Sequence, residues 1–146
     1  MEKLIFDTGV KEYDLGAGVP LRFNPSDPNV YARFVDAAEK ILEIEKELVA
    51  KGQVEGGVGE AAIRLMAEAD HRTKELLNQT FGGENDFDAI MGGVNLLAVA
   101  DNGERVITNL FNALTPIIVS GAQRCANAAV GQARMNREQR RAMMHA

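Results

Sequence analysis

The chain has 146 residues, enough for one domain with a real hydrophobic core, and 46% of them are apolar. A single Cys excludes an intramolecular disulfide framework, and the absence of Trp argues against a base-stacking platform for nucleic acid. The net charge of −5 is uneven: five Arg against Glu138 give the segment from Gly121 onward +4, leaving −9 on the 120 residues before it. No run of eighteen apolar residues is present, and "MEKLIFD" lacks the apolar core of a signal peptide, so a soluble cytoplasmic protein is expected.

In chain order, "KLIFD" (3–7) is an optional short strand. "EYDLGAGVPLRFNPSDP" follows, with Tyr13 and Leu15 alternating against Glu12 and Asp14, then Val19, Leu21 and Phe23 against Pro20 and Arg22. Period two on both arms predicts an antiparallel hairpin, with Gly16 and Gly18 supplying the reversal. A dinucleotide fingerprint would need a third Gly where Leu21 stands and a helix after it. A P-loop would need a Lys-Ser/Thr pair. Both are missing, so the glycines are read as a turn and not as a phosphate cradle. Pro20 cannot donate to a ladder, which places its strand at an edge or a bulge.

The first helix is expected from the "NPSDP" exit, capped by Ser26 or Asp27, with Pro28 at its first position. Val30, Phe34, Ala37, Ile41, Ile44 and Leu48 form one apolar stripe, and the helix should stop near Lys51 before "GQVEGGVGE". A second helix is expected from Val58 to Thr80, with Ala62, Leu65, Ala69 and Leu76 inward and Gly82-Gly83 at its end. The two make an antiparallel helical hairpin. "NDFDAIMGG" reads as one or two helical turns, and "VNLLAVA" as a buried helical turn or a strand. Asp101 and Glu104 suggest a capping box for a third long helix, whose broad face carries Val106, Ile107, Leu110, Phe111, Leu114, Ile117 and Ile118. Pro116 should kink that helix. Small residues at 121, 125, 128 and 131 then allow close helix approach or fraying. From Arg134 the chain is read as an extended or frayed basic tail, because Arg134, Arg137, Arg140 and Arg141 repel one another.

Catalytic and metal chemistry is not assembled by this sequence. His71 and His145 are far apart, and the acids of "GENDFD" fit a capped helix start better than a calcium loop. Asp70-His71 reads as an exposed polar pair, Cys125 as a small packing residue. No nucleophile, base and orienting group come together, so no catalytic, cofactor or metal site is expected and the chain is read as a non-enzyme. Met66 and Met91 are expected in the core; Met143 and Met144 are candidates for adaptable contact surface. The fold class expected is α+β, mainly α: a hairpin over 1–25, a small helical bundle over 26–133 and a basic tail over 134–146. The candidate partner-binding residues are Arg134, Arg137, Arg140, Arg141, Met143 and Met144.

Three stretches carry a family resemblance: "FDTGVKEYDLGAGVPLRFNPSDP", "KELLNQTFG" and "GGVNLLAVADNGERVITNLFNALTPII". Together they resemble short proteins encoded by siphovirus-type phages and prophages of Gram-positive bacteria. The resemblance covers most of the chain and is weakest from Gly121 onward. The relatives often turn the hairpin with Asn-Gly, whereas this chain has the longer "GAG", which alters the loop and not the strands. Such proteins are similar to phage tail assembly chaperones. The resemblance implies a cytoplasmic role in the bacterial host, binding the tape measure protein and also, as an option, tail tube subunits, with no catalytic residues. Self-association is left open. The other readings are a structural tail component of the virion, whose hairpin docks by strand addition, and a small nucleic-acid-binding regulator.

Overall fold

The computed structural model describes residues 1–54 and 59–144. Two strands, β1 (Lys11–Asp14) and β2 (Pro20–Phe23), are followed by helices α1 (Pro28–Val54), α2 (Glu60–Phe81), the single turn α3 (Phe87–Ile90) and α4 (Val106–Met144). The chain is α+β and mainly helical, as its periodicities imply.

The strands pair antiparallel, with Tyr13 opposite Leu21 and Glu12 opposite Arg22. Period two explains the result: Leu21 and Phe23 are buried, Tyr13 is half-buried, and Glu12 and Arg22 face solvent. Residues 1–10 form no third strand and are exposed throughout. One edge of the hairpin is already occupied. The Asn85 side chain accepts from Arg22 N–H (2.9 Å) and donates to Arg22 C=O (2.8 Å), standing in for a neighbouring strand on β2.

Asp27 caps α1, its carboxylate accepting from Asn29 N–H at 2.9 Å, with Pro28 at the first helical position. Val30, Phe34, Ala37, Ile41 and Ile44 are buried along one stripe and Leu48 packs at its margin. α1 runs to Val54, past the expected stop at Lys51. The expected start of the second helix at Val58 lies outside the described residues. α2 returns antiparallel to α1, as the pairs Glu47–Arg72 (2.8 Å) and Thr80 C=O with Arg33 Nε (2.8 Å) show, and it ends at Gly82. Met66, expected in the core, is on the exposed side of α2, whereas Met91 packs against the core.

"VNLLAVA" is neither a helical turn nor a strand. It is a turn that buries Leu96 and Leu97 and bridges Val99 to Arg105. Asp101 and Glu104 lie in the reversal of this small bridge, so they cap nothing and α4 begins at Val106, four residues later than a cap at Asp101 would start it. The orphan donors of α4 are met by backbone: Val106 N–H bonds to Ala98 C=O (2.9 Å) and Ile107 N–H to Leu96 C=O (2.8 Å). Ile107, Leu110, Leu114 and Ile118 are buried, and the helix continues through Pro116.

An aromatic chain ties the pieces together. Tyr13 stacks on Phe23 (5.2 Å between centroids), Phe23 meets Phe81 (4.8 Å), and Phe81 meets Phe87 (5.4 Å) and Phe34 (6.5 Å), which meets Phe111 (5.0 Å). The hairpin and all four helices therefore share one core. Of the six Phe, Phe6 alone stands outside it.

Candidate partner-binding surface

The hairpin loop resolves the glycine question chemically. Gly16 and Gly18 take positive φ (110° and 79°), and their N–H groups both donate to Asp14 Oδ1, at 2.8 and 3.2 Å. The donors that would cradle a phosphate are consumed by the chain's own carboxylate, and they hold Asp14 below the usual carboxylate range. The glycines form a turn.

A second cluster lies between α2, α3 and the 94–97 turn. Lys74, only 4% exposed, bonds Asp70 (2.9 Å) and Asp88 (2.7 Å), while Asp70 also accepts from Leu96 N–H at 2.7 Å. Burial alone would lower the Lys74 pKa, but the hydrogen bonds that its ammonium donates to Asp88 and Asp70 outweigh it and raise the pKa above its ordinary value. Asp70 is thus a half-buried staple and not half of an exposed pair; His71 instead faces Glu75 (3.2 Å) on the exposed side. Asp86 caps α3 by accepting from Asp88 N–H (3.1 Å), in keeping with the capped start read for those acids. The Lys74–Asp88 and Leu96–Asp70 bonds tie α2 to α3 and to the 94–97 turn. Its sequence signal is the Asp70–Lys74 spacing of four on one helix.

The described residues hold no group of three or more His, Cys, Asp or Glu placed to bind a metal ion. No described helix is long and apolar enough to cross a membrane. An open groove of about 760 Å³ runs along β2 and the α1 N-terminus, with Arg22 and Arg33 balanced by Asp27 and Glu84. Its mixed charge and the commitment of Arg33 to Thr80 C=O select no particular ligand.

The second half of α4 is an uncommitted surface. The helix does not fray at Arg134: it runs unbroken to Met144. Ala, Gln, Arg and Met are strong helix formers, and like-charge repulsion across a turn costs only a few tenths of a kcal/mol. Gly121 is the last buried of the described residues, and beyond Cys125 every described residue except the half-buried Gly131 is exposed. Gly121 lets the helix pass directly under the loop after β2, because a Cβ there would collide with the Pro25 carbonyl and lie 3.0 Å from Ser26 N. From Cys125 to Met144 about 29 Å of helix stands clear of the body.

The helical repeat sorts the candidate residues. Arg134, Arg137, Arg140, Arg141 and Met144 fall within about 120° of arc, making one basic face, and Met143 falls outside it. The core line of Ile118 and Gly121 continues on the other side through Cys125, Ala128, Gln132 and Met135 at spacings of three and four. The two methionines read together from the sequence therefore sit on different faces.

Set against protein-family models, curated proteins and solved structures, the chain has no significant match.

Proposed function

We propose that this chain is a non-enzymatic tail assembly chaperone of phage, binding the tape measure protein before the tail polymerises. The observation that carries the reading is the free half of α4. A helix of this length gains little stability without packing partners, so one face of it suits a partner helix. Cys125 and Ala128, the small residues at the start of that line, let a second backbone approach closely, while the basic face favours a partner whose flanks are acidic. A long helical protein with apolar segments to be kept from self-association meets those conditions. The resemblance of the hairpin, the "KELLNQTFG" segment and the α4 region to phage tail-morphogenesis proteins supports the same assignment.

The test is co-purification. Tagged protein from infected cells should capture the tape measure protein, and purified particles should lack the chain. Fixed stoichiometry in particles would make it a structural tail component. Saturable duplex DNA binding with steep salt dependence would make it a regulator.

A further inference from the structure

The hairpin has a second edge, and unlike that of β2 it has no partner among the described residues. Arg22 directs both backbone groups away from β1 to Asn85, so Glu12 opposite it directs both of its own away from β2. Asp14, two residues on, presents the same orientation. β1 therefore offers an unpaired row of donors and acceptors.

An apolar segment that belongs to no sheet ends four residues before β1. Leu4, Ile5 and Phe6 are 87%, 95% and 74% exposed, an apolar run with no contact to the core. It is kept from folding back on its own sheet. Asn24 Nδ2 donates to Thr8 C=O (3.0 Å), Asp7 Oδ1 accepts from Gly9 N–H (2.8 Å), and Gly9 holds a φ of 74°. These ties fix residues 7–9 beside the end of β2 and aim residues 3–6 away from the molecule.

We propose that residues 3–6 of one copy add as a strand to the open edge of β1 in a second copy, and reciprocally. This inference is independent of the tail-assembly reading. An apolar strand and an unsatisfied edge on the same chain complete each other across a two-fold axis, where the same patch serves both copies. Charge and polarity choose the register. With Lys3 opposite Asp14, Leu4 falls opposite Tyr13 and extends the half-buried layer that Tyr13 shares with Phe23, Ile5 falls opposite Glu12, and Phe6 lies along the Lys11 stem. A shift by one residue sets Leu4 against Asp14 and Phe6 against Glu12, so that Ile5 alone, in place of both Leu4 and Phe6, faces the half-buried layer, and the Lys3–Asp14 ion pair is lost. The charges on β1 that deter indiscriminate strand pairing thus admit this arm.

Two measurements on the full chain decide it. Sedimentation should give a dimer for the unaltered protein and a monomer for Leu4→Asp/Phe6→Asp, with the same helical circular dichroism. In a Cys125→Ser background, Ile5→Cys and Glu12→Cys chains mixed and oxidised should form a covalent dimer, because a hydrogen-bonded antiparallel pair holds its Cα atoms about 5.5 Å apart, within disulfide reach. Both positions are exposed, so neither substitution threatens the fold. A monomeric unaltered chain at every concentration, or a dimer that survives Leu4→Asp/Phe6→Asp, overturns the proposal. Cross-linking of Ile5→Cys chains alone, as efficient as in the mixture, overturns the register and the edge assignment with it.

Discussion

Asp14 and Gly121 show how single residues fix the joints of this fold. Two N–H donors lower the Asp14 pKa in the folded chain relative to its unfolded value near 3.8. Its contribution to the hairpin is therefore complete above that value and fades as pH falls through the lower, folded one. Asp14→Asn should be the less stable protein at neutral pH, and the gap should close below about pH 4. A gap that stays constant down to pH 2 in acid denaturation would show that the charge is irrelevant. Because the loop donors are already taken, titration with ATP or NAD should show no saturable binding. At Gly121 the determinant is space. Gly121→Ala should cost on the order of 1–3 kcal/mol by pushing α4 off the Pro25 carbonyl. Gly131→Ala, with open space around its Cβ, should be neutral or stabilising by up to about 1 kcal/mol. Equal responses at the two glycines in urea titrations would refute the close approach.

At the scale of elements, stability divides between apolar faces and one buried ion cluster. Leu110→Ala or Leu114→Ala, both buried on α4, should lose about 2–5 kcal/mol in chemical denaturation. A loss well under 1 kcal/mol at both would mean the face is not core. Lys74→Ala strands Asp70 beside the Leu96 N–H and releases Asp88, at a cost on the order of 3 kcal/mol. Asp70→Asn keeps an acceptor for Leu96 and should cost less; the reverse ranking would place the cluster's weight on the carboxylate. These contrasts also explain what the sequence could announce. The α1 stripe from Val30 to Ile44 was legible because burial on one helix face leaves a period in the same residues that are buried. The start of α4 was not, because Val106 and Ile107 are capped by the carbonyls of Ala98 and Leu96, and a backbone acceptor has no residue signature. Asp101 and Glu104 matched a local pattern, but the bridge from Val99 to Arg105 took them for a reversal. "KLIFD" has strand composition without a free edge on its own sheet that it can reach. The candidate surface was half legible. Composition located the arginines, but treating their repulsion as decisive underrated the helix propensity of the residues between them.

For the whole molecule, an acidic body and the basic C-terminal half of α4 are joined covalently yet barely packed together. Beyond Gly121 the helix adds no buried residue, so its removal exposes nothing from the core. The ion pairs that the arginines could make with the −9 body would be exposed, each worth about 0–1 kcal/mol. Deleting residues 134–146 should therefore leave the melting temperature almost unchanged, while helical circular dichroism falls in proportion to the residues removed. Capture of the tape measure protein should weaken at the same time, more so at low salt, where the basic face attracts an acidic partner across a longer screening distance. The seam and the basic arc can be separated within the same helix. Replacing Arg134, Arg137, Arg140 and Arg141 by Gln keeps the helix and should remove the salt dependence, whereas Ala128→Glu with Met135→Glu should weaken capture at every salt concentration. Undiminished capture by the truncated chain would move the binding surface to the helical body and refute the role of α4. A cooperative drop in melting temperature on truncation would refute it from the other side, by showing that the projecting helix is part of what holds the body together.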